Sequence, residues 1–166
     1  MPLRNLNEPY TAAQILQQVA TVAIANTSLE VAGGSVLINT REPLYQGQAT
    51  WPALVVWEGP QSSARIYWYL WQPKVTAILL YMNRWDQNNT SIDTLWSAID
   101  TDLRRMKSNL EDNPRIYLTG NAHAADIALM TLSPFAGNVN KTDYVFPVVE
   151  RQLIVQLNLA PYMSRG

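Results

Sequence analysis

Cysteine is missing altogether from this 166-residue chain, which removes disulfide frameworks, thiol nucleophiles and cysteine-ligated metals from consideration. Histidine occurs once, at His123, and a lone imidazole without clustered carboxylates makes a poor metal site. Charge is scarce as well: Asp, Glu, Lys and Arg make up 15% of the residues, with a formal net charge of −1, whereas an average soluble domain carries about 25%. So neutral a balance supplies no basic face to release phosphate counterions, which argues against sequence-specific nucleic-acid binding. A charge-poor surface is instead what a chain shows when other protein chains cover part of it. No apolar run approaches the roughly 18 residues of a membrane span, and residues 1 to 25 lack a basic region followed by an unbroken apolar core. The chain is therefore expected to be made and kept in the cytoplasm, away from membranes. The triplets starting at Asn26, Asn88, Asn89 and Asn140 would then have no access to glycosylation. Gly33-Gly34 lacks the further glycine, lysine and helix of a nucleotide loop.

What is present is hydrophobic periodicity. In Ser91 to Leu110 the apolar residues Ile92, Leu95, Trp96, Ile99, Leu103, Met106 and Leu110 form one stripe on a 3.6-residue helix. Ser91 is placed to cap it, Asp93 falls in the first turn, and Arg104, Arg105 and Lys107 are expected in the last. Such a stripe needs a sheet, and Val75 to Met82 before it and Ile127 to Leu132 after it read as strands. Earlier, Thr11 and Gln14 have capping-box spacing for a helix reaching about Asn26, followed by a Gly33-Gly34 turn and a short strand from Ser35 to Asn39. Trp51 to Gly59 reads as a buried strand. Ala64 to Trp71 and Lys74 to Arg84 read as one long strand bent at Pro73, its aromatics suggesting cover on both sides. Asn113-Pro114 ends the central helix, and a strand from Arg115 to Thr119 and a Gly120-Asn121 turn follow. Residues 133 to 147 form a long proline-bearing loop, and Leu153 to Leu159 an alternating strand. The expectation is an α+β fold: an N-terminal arm at 1–10, then a single domain over 11–166 with a mixed, largely antiparallel sheet packed by two main helices.

Chemistry is hard to find. His123 lies near Asp126 in what reads as an exposed loop, but no serine sits in a strained glycine-flanked elbow to complete a triad. Asp93 and Asp100, seven apart, share a helix face with Asp86 just before it, which suits acid/base work or a divalent cation but equally a solvated face. Of the six tryptophans, Trp57 and Trp96 fall on core positions. Trp71 and Trp85 stand at strand ends and are the better candidates for an exposed contact with sugar or protein. No cofactor, metal or catalytic residue is expected.

The order of a helix, the strand Pro52 to Gly59, a long strand ending in YMNRWDQ, the helix IDTLWSAID with its LxxAIDxDL pattern (Leu95 to Leu103), a Gly120 turn and a closing alternating strand resembles the tail terminator, or tail completion, proteins of long-tailed bacteriophages. The resemblance spans residues 11 to 160. It implies a hexameric ring that caps the tail tube, stops its polymerisation and offers a docking surface to the head, with the tail tube protein and a head-completion or neck protein as partners. It also implies a location at the head-proximal end of the virion tail, after assembly in the host cytoplasm, and no enzyme activity. Phe135, Tyr144, Trp71 and Trp85 are the residues chosen as assembly contacts, since aromatics dominate well-packed interface centres. The alternatives are a carbohydrate- or ligand-binding module using exposed tryptophans, and a neck or head-closure protein of similar fold.

Overall fold

In a computed structural model of the chain, which describes residues 12–45, 47–118, 122–135, 137–141, 143–144, 146–159 and 161–163, helices and strands follow in mixed order. They are α1 (Ala12–Ala23), α2 (Ser28–Val31), β1 (Ser35–Ile38), α3 (Glu42–Tyr45), β2 (Ala53–Glu58), β3 (Ser62–Tyr67), β4 (Leu70–Arg84), α4 (Ile92–Asp112), β5 (Arg115–Leu118), β6 (Ala122–Leu132), β7 (Asn138–Asn140), β8 (Val148–Leu159) and β9 (Tyr162–Met163). One sheet joins all the strands in the order β1-β2-β4-β8-β6-β5, with β3 and β9 on β4 and β7 on β8. The β1–β2 pair is parallel and every other pair antiparallel, so the sheet is mixed and largely antiparallel, as its alternating strands imply. Residues 1–10, the proposed capping Thr11 and the Gly120-Asn121 turn lie outside the described residues. Among the described residues no helix is long and apolar enough to cross a membrane.

α1 and α4 cover one side of the sheet. From α4 the stripe Leu95, Trp96, Ile99, Leu103, Met106 and Leu110 is buried against Val75, Ala77, Leu79 and Tyr81 of β4 and Val149, Leu153, Val155 and Leu157 of β8. Each strand contributes alternate residues, as a pleat requires. Ser91 caps α4 by accepting from the Thr94 amide, and Asn113-Pro114 ends it. The helix continues to Asp112, so its last turn holds no basic residue, contrary to the sequence expectation. Arg104 and Lys107 are instead engaged one turn apart, with Asp100 and Glu111. The first helix stops at Ala23, short of the expected Asn26. The Asn109 side chain donates to the carbonyls of Ala23 and Ala25 at 2.9 and 2.8 Å, so α4 satisfies carbonyls left open at the end of α1.

The other side of the sheet is covered over part of its area. Leu44, Ala53, Val55, Leu80, Met82, Tyr144 and Val148 form a second, smaller core, with Trp51, Trp57 and Phe146 packed against it. Three expectations are corrected here. Ala64 to Trp71 is not one strand but a hairpin: β3 ends at Tyr67, the chain turns at Trp68-Tyr69, and β4 starts at Leu70 and runs through Pro73 without a break. β-propensity stays high through the turn, which has none of the Asn-Gly or Gly-X residues that mark a two-residue hairpin, so propensity alone hid it. The ribbon is also not covered on both sides, since Ile66, Tyr67, Trp68 and Tyr69 are all exposed. Nor is the 133–147 segment all loop, because β7 returns it to β8. Gly137 permits this return: a Cβ there would come within 2.2 Å of the Glu150 carbonyl oxygen.

Leu103 is fully buried at the centre of the main core. Leu103→Ala should lower the urea-unfolding free energy by about 2–5 kcal/mol without changing the denaturant slope. A loss under about 0.5 kcal/mol would mean that the stripe is not the core.

Candidate interaction surface

The most exposed aromatic cluster is the β3–β4 hairpin tip. Ile66 is 50% exposed, Tyr67 59%, Trp68 75% and Tyr69 36%. Tyr69 sits edge-on to both neighbours, with ring centroids 5.4 Å from Tyr67 and 4.8 Å from Trp68. Edge-to-face contact of this kind holds the rings against one another and leaves their outer surfaces free. At the base of the tip β4 is flanked by β3 on one edge and by β9 on the other, where Trp71 lies opposite Arg65 and Tyr162. Three paired strands make a firm stem.

The four aromatics chosen from the sequence part company here. Phe135 is 46% exposed and lies over the Arg151 guanidinium, 5.8 Å from its carbon. Trp71 is half-buried at the hairpin stem. Trp85 is also half-buried: its Nε1 donates to the Thr90 carbonyl at 2.9 Å and its ring packs on the main core, so it holds the approach to α4. Tyr144 is buried in the second core, edge-on to Trp51, with its hydroxyl 3.6 Å from Met82 Sδ. Tyr144 pins its segment to its own subunit, and the choice of it as a surface anchor is corrected. Trp68, which was not chosen, is the more exposed residue because the turn, invisible in the propensities, carries it outward.

Two polar residues on the helix side of the sheet are also new. Arg151 is buried and makes three contacts: Nη1 donates to Asp100 at 2.5 Å, while Nε and Nη2 donate to the Ser133 carbonyl at 3.1 and 2.9 Å. It ties α4 to the crossover leaving β6. Burial by itself would raise the Asp100 pKa, but hydrogen bonds from Arg151 and Arg104 and their charges outweigh it and hold the carboxyl below the usual range. Asp102, also buried, accepts from the Tyr81 hydroxyl at 2.5 Å and from the Ser28 amide at 3.1 Å, joining α4, β4 and α2. Burial, then the hydrogen bond to Asp102 and its negative charge, push the Tyr81 phenol far above its ordinary pKa. A signal existed for both. Asp102 falls three residues after Ile99 and four before Met106, inside the apolar stripe, and Arg151 has the inward parity of Leu153.

The proposed acid/base and metal groups do not assemble. His123 lies on β6, not in a loop, exposed beside Tyr117, with Nε2 2.9 Å from Asp126. Asp100 is taken by Arg151 and Arg104, and the Asp86 carboxylate accepts from the Asn88 amide and the Asn89 side chain. Among the described residues no group of three His, Cys, Asp or Glu is placed to hold a metal ion. A shallow pocket of about 350 Å³ beside the 133–137 crossover is lined by Leu80, Pro134, Asn138 and Glu150, whose carboxylate accepts from Asn138 and Asn140 at 3.5 and 3.4 Å. No protein-family model matches the chain, and no curated protein matches it.

The two buried polar pairs give opposite pH signatures. Asp100, with its lowered folded-state pKa, stabilises fully above the ordinary value of 3.8, and that contribution is lost as pH falls through the folded value. Wild type and Asp100→Asn should therefore differ most in urea near neutral pH and converge below about pH 4, and a gap that persists to about pH 2 would refute the assignment. Tyr81, with its raised pKa, stabilises below the ordinary value of 10.0 and loses that contribution above it. Tyr81→Phe should accordingly lose less stability than wild type on going from about pH 9 to pH 11.

Proposed function

We propose that this chain is a structural subunit of a long-tailed bacteriophage. In this role several copies form a ring, hexameric in the tail terminators it resembles, on the head-proximal end of the tail tube. The ring ends tube polymerisation and presents the surface to which the head docks, so the partners are further copies of the chain, the tail tube protein and a head-completion or neck protein. Such a subunit is assembled in the host cytoplasm, stays in the virion, and does its work by contact without catalysis.

The observation that carries the reading is the hairpin tip, four consecutive large apolar or aromatic side chains held out from the sheet with no charge among them. A monomer that works alone has no use for that surface, and contiguous exposed apolar surface marks an interaction site. The low overall charge supports the same reading, as does the order of elements, with two main helices on one side of a largely antiparallel sheet. Phe135 and Trp71 remain as further contact candidates, both at least partly exposed. A second reading has one observation in its favour: Trp68 flanked by two tyrosines is also a surface on which a sugar ring stacks. A neck or head-closure ring of similar fold would share the contact chemistry and differ in its neighbours.

Sedimentation of the purified protein should give a particle several times the 18.7 kDa of one chain. Phage particles made without it should show tails of uncontrolled length in electron micrographs. A strict monomer at all concentrations, together with normal tails in its absence, would sink the proposal.

A further inference from the structure

The hairpin tip has a counterpart on the same chain that it cannot reach. On the side of the sheet away from α1 and α4, the second core covers the end around Leu80, Met82 and Val148. Toward the hairpin neither core extends over that side among the described residues. A cross-strand row of Ile78, Ile154 and Thr131 crosses β4, β8 and β6, bounded on β2 by Trp57, which packs on the second core beneath the Arg41 guanidinium, and Gln156 and Leu129 stand in the next row. The residues of these two rows carry no charge, Ile78 and Ile154 are half-buried and belong to neither core, and Leu129 is 53% exposed; the row beyond them toward the hairpin is Lys74, Asn158, Asp126 and Arg115. β4 is continuous from Leu70 to Arg84, so the tip extends along the strand axis, roughly 16 Å beyond the last β8-paired residue, Lys74, at about 3.3 Å per residue. It therefore cannot fold back onto its own sheet.

We propose that the tip, Ile66 to Tyr69, docks on this open sheet face of a second copy of the chain, head to tail. The inference rests on the ring reading above and specifies its junction. Two different patches on one subunit make a heterologous contact, the kind that repeats into a closed ring, whereas tip against tip would stop at a dimer. From the exposed fractions of its side chains the tip offers roughly 500 Å², against about 800 Å² per partner in a stable interface. One tip alone falls short. In a ring each subunit gives its tip to one neighbour and receives the other neighbour's tip on its sheet, so every subunit is held by two such junctions and opening one does not release it.

Two variants that damage one patch each decide the matter. Trp68→Glu spoils the tip and leaves the face, while Leu129→Arg spoils the face and leaves the tip; both residues are more than half exposed, so circular dichroism and melting should match wild type. If Leu129→Arg fails to fold, Thr131→Lys, exposed in the neighbouring row, replaces it. By multi-angle light scattering each variant alone should run as one chain of 18.7 kDa, and an equimolar mixture should give a two-chain species and no ring. Folded Leu129→Arg assembling like wild type while Trp68→Glu does not would replace this junction by tip-to-tip pairing. Rings unaffected by both variants would overturn the junction and leave the ring reading standing. Wild type remaining a single chain would overturn both, and a tryptophan-fluorescence response to added maltohexaose in that monomer would favour sugar stacking.

Discussion

β4 has to be one strand, and most of the architecture follows from that constraint. It spans 15 residues and pairs with β2, β3, β8 and β9 along different parts of its length. Its odd residues from Val75 to Tyr81 meet the helices, and of its even residues Leu80 and Met82 meet the smaller core. At about 3.3 Å per residue such a strand is longer than either layer of cover. What the layers do not reach, the hairpin stem and the upper half of the second side, stays in contact with solvent. Exposed aromatic surface here is thus a consequence of strand length, and its position at the free end of a paired ribbon makes it available without weakening the core.

The buried polar groups set how the helical layer sits on that strand. An apolar stripe on a sheet tolerates sliding, since burial is not directional. Asp102 and Arg151 are directional: one carboxylate fixes α4 to Tyr81 and to the start of α2, and one guanidinium fixes it to Ser133 at the end of β6. Replacing a buried ion pair by apolar residues is often neutral or favourable for stability, so Asp100–Arg151 is better understood as an orienting contact than as a large stabilising one. By holding the Ser133 carbonyl it sets where the crossover leaves the sheet, and Phe135 is displayed on that crossover.

Sequence periodicity was a good guide wherever cover is complete. The α4 stripe and the alternating β8 read directly, because a residue buried on one side and wet on the other imposes its period on the chain, and Ser91 was legible as the cap of α4. It failed where burial is partial. Tyr67, Trp68 and Tyr69 have strong β-propensity in the turn as well as beside it, and nothing local separates an aromatic that packs from one that is displayed. His123 was read as a loop residue because NAHAAD has no apolar alternation, yet the β5 and β8 ladders capture that segment into β6. Asp102 and Arg151 were legible in principle, as charges at inward positions, but only pairing across the fold tells a rivet from a misplaced charge.

The distribution of charge follows the same division. On α4 the outward residues carry paired ions at i, i+4, the ordinary dress of a helix facing water. On the uncovered side of the sheet the rows through Ile78–Ile154–Thr131 and Gln156–Leu129 carry no charge and strand no ion when covered, whereas the next row toward the hairpin holds Lys74, Asn158, Asp126 and Arg115. The hairpin tip uses aromatic rings for the same purpose, with large area, few rotatable bonds and no charge to desolvate. Solubility alone would have favoured lysines and glutamates at both places, as it does along the back of α4. They are absent from the tip and from the two rows around Ile78 and Ile154, and they return in the row between, at Lys74, Asp126 and Arg115, so the charge-free surface on this side is confined to two patches separated by a charged row.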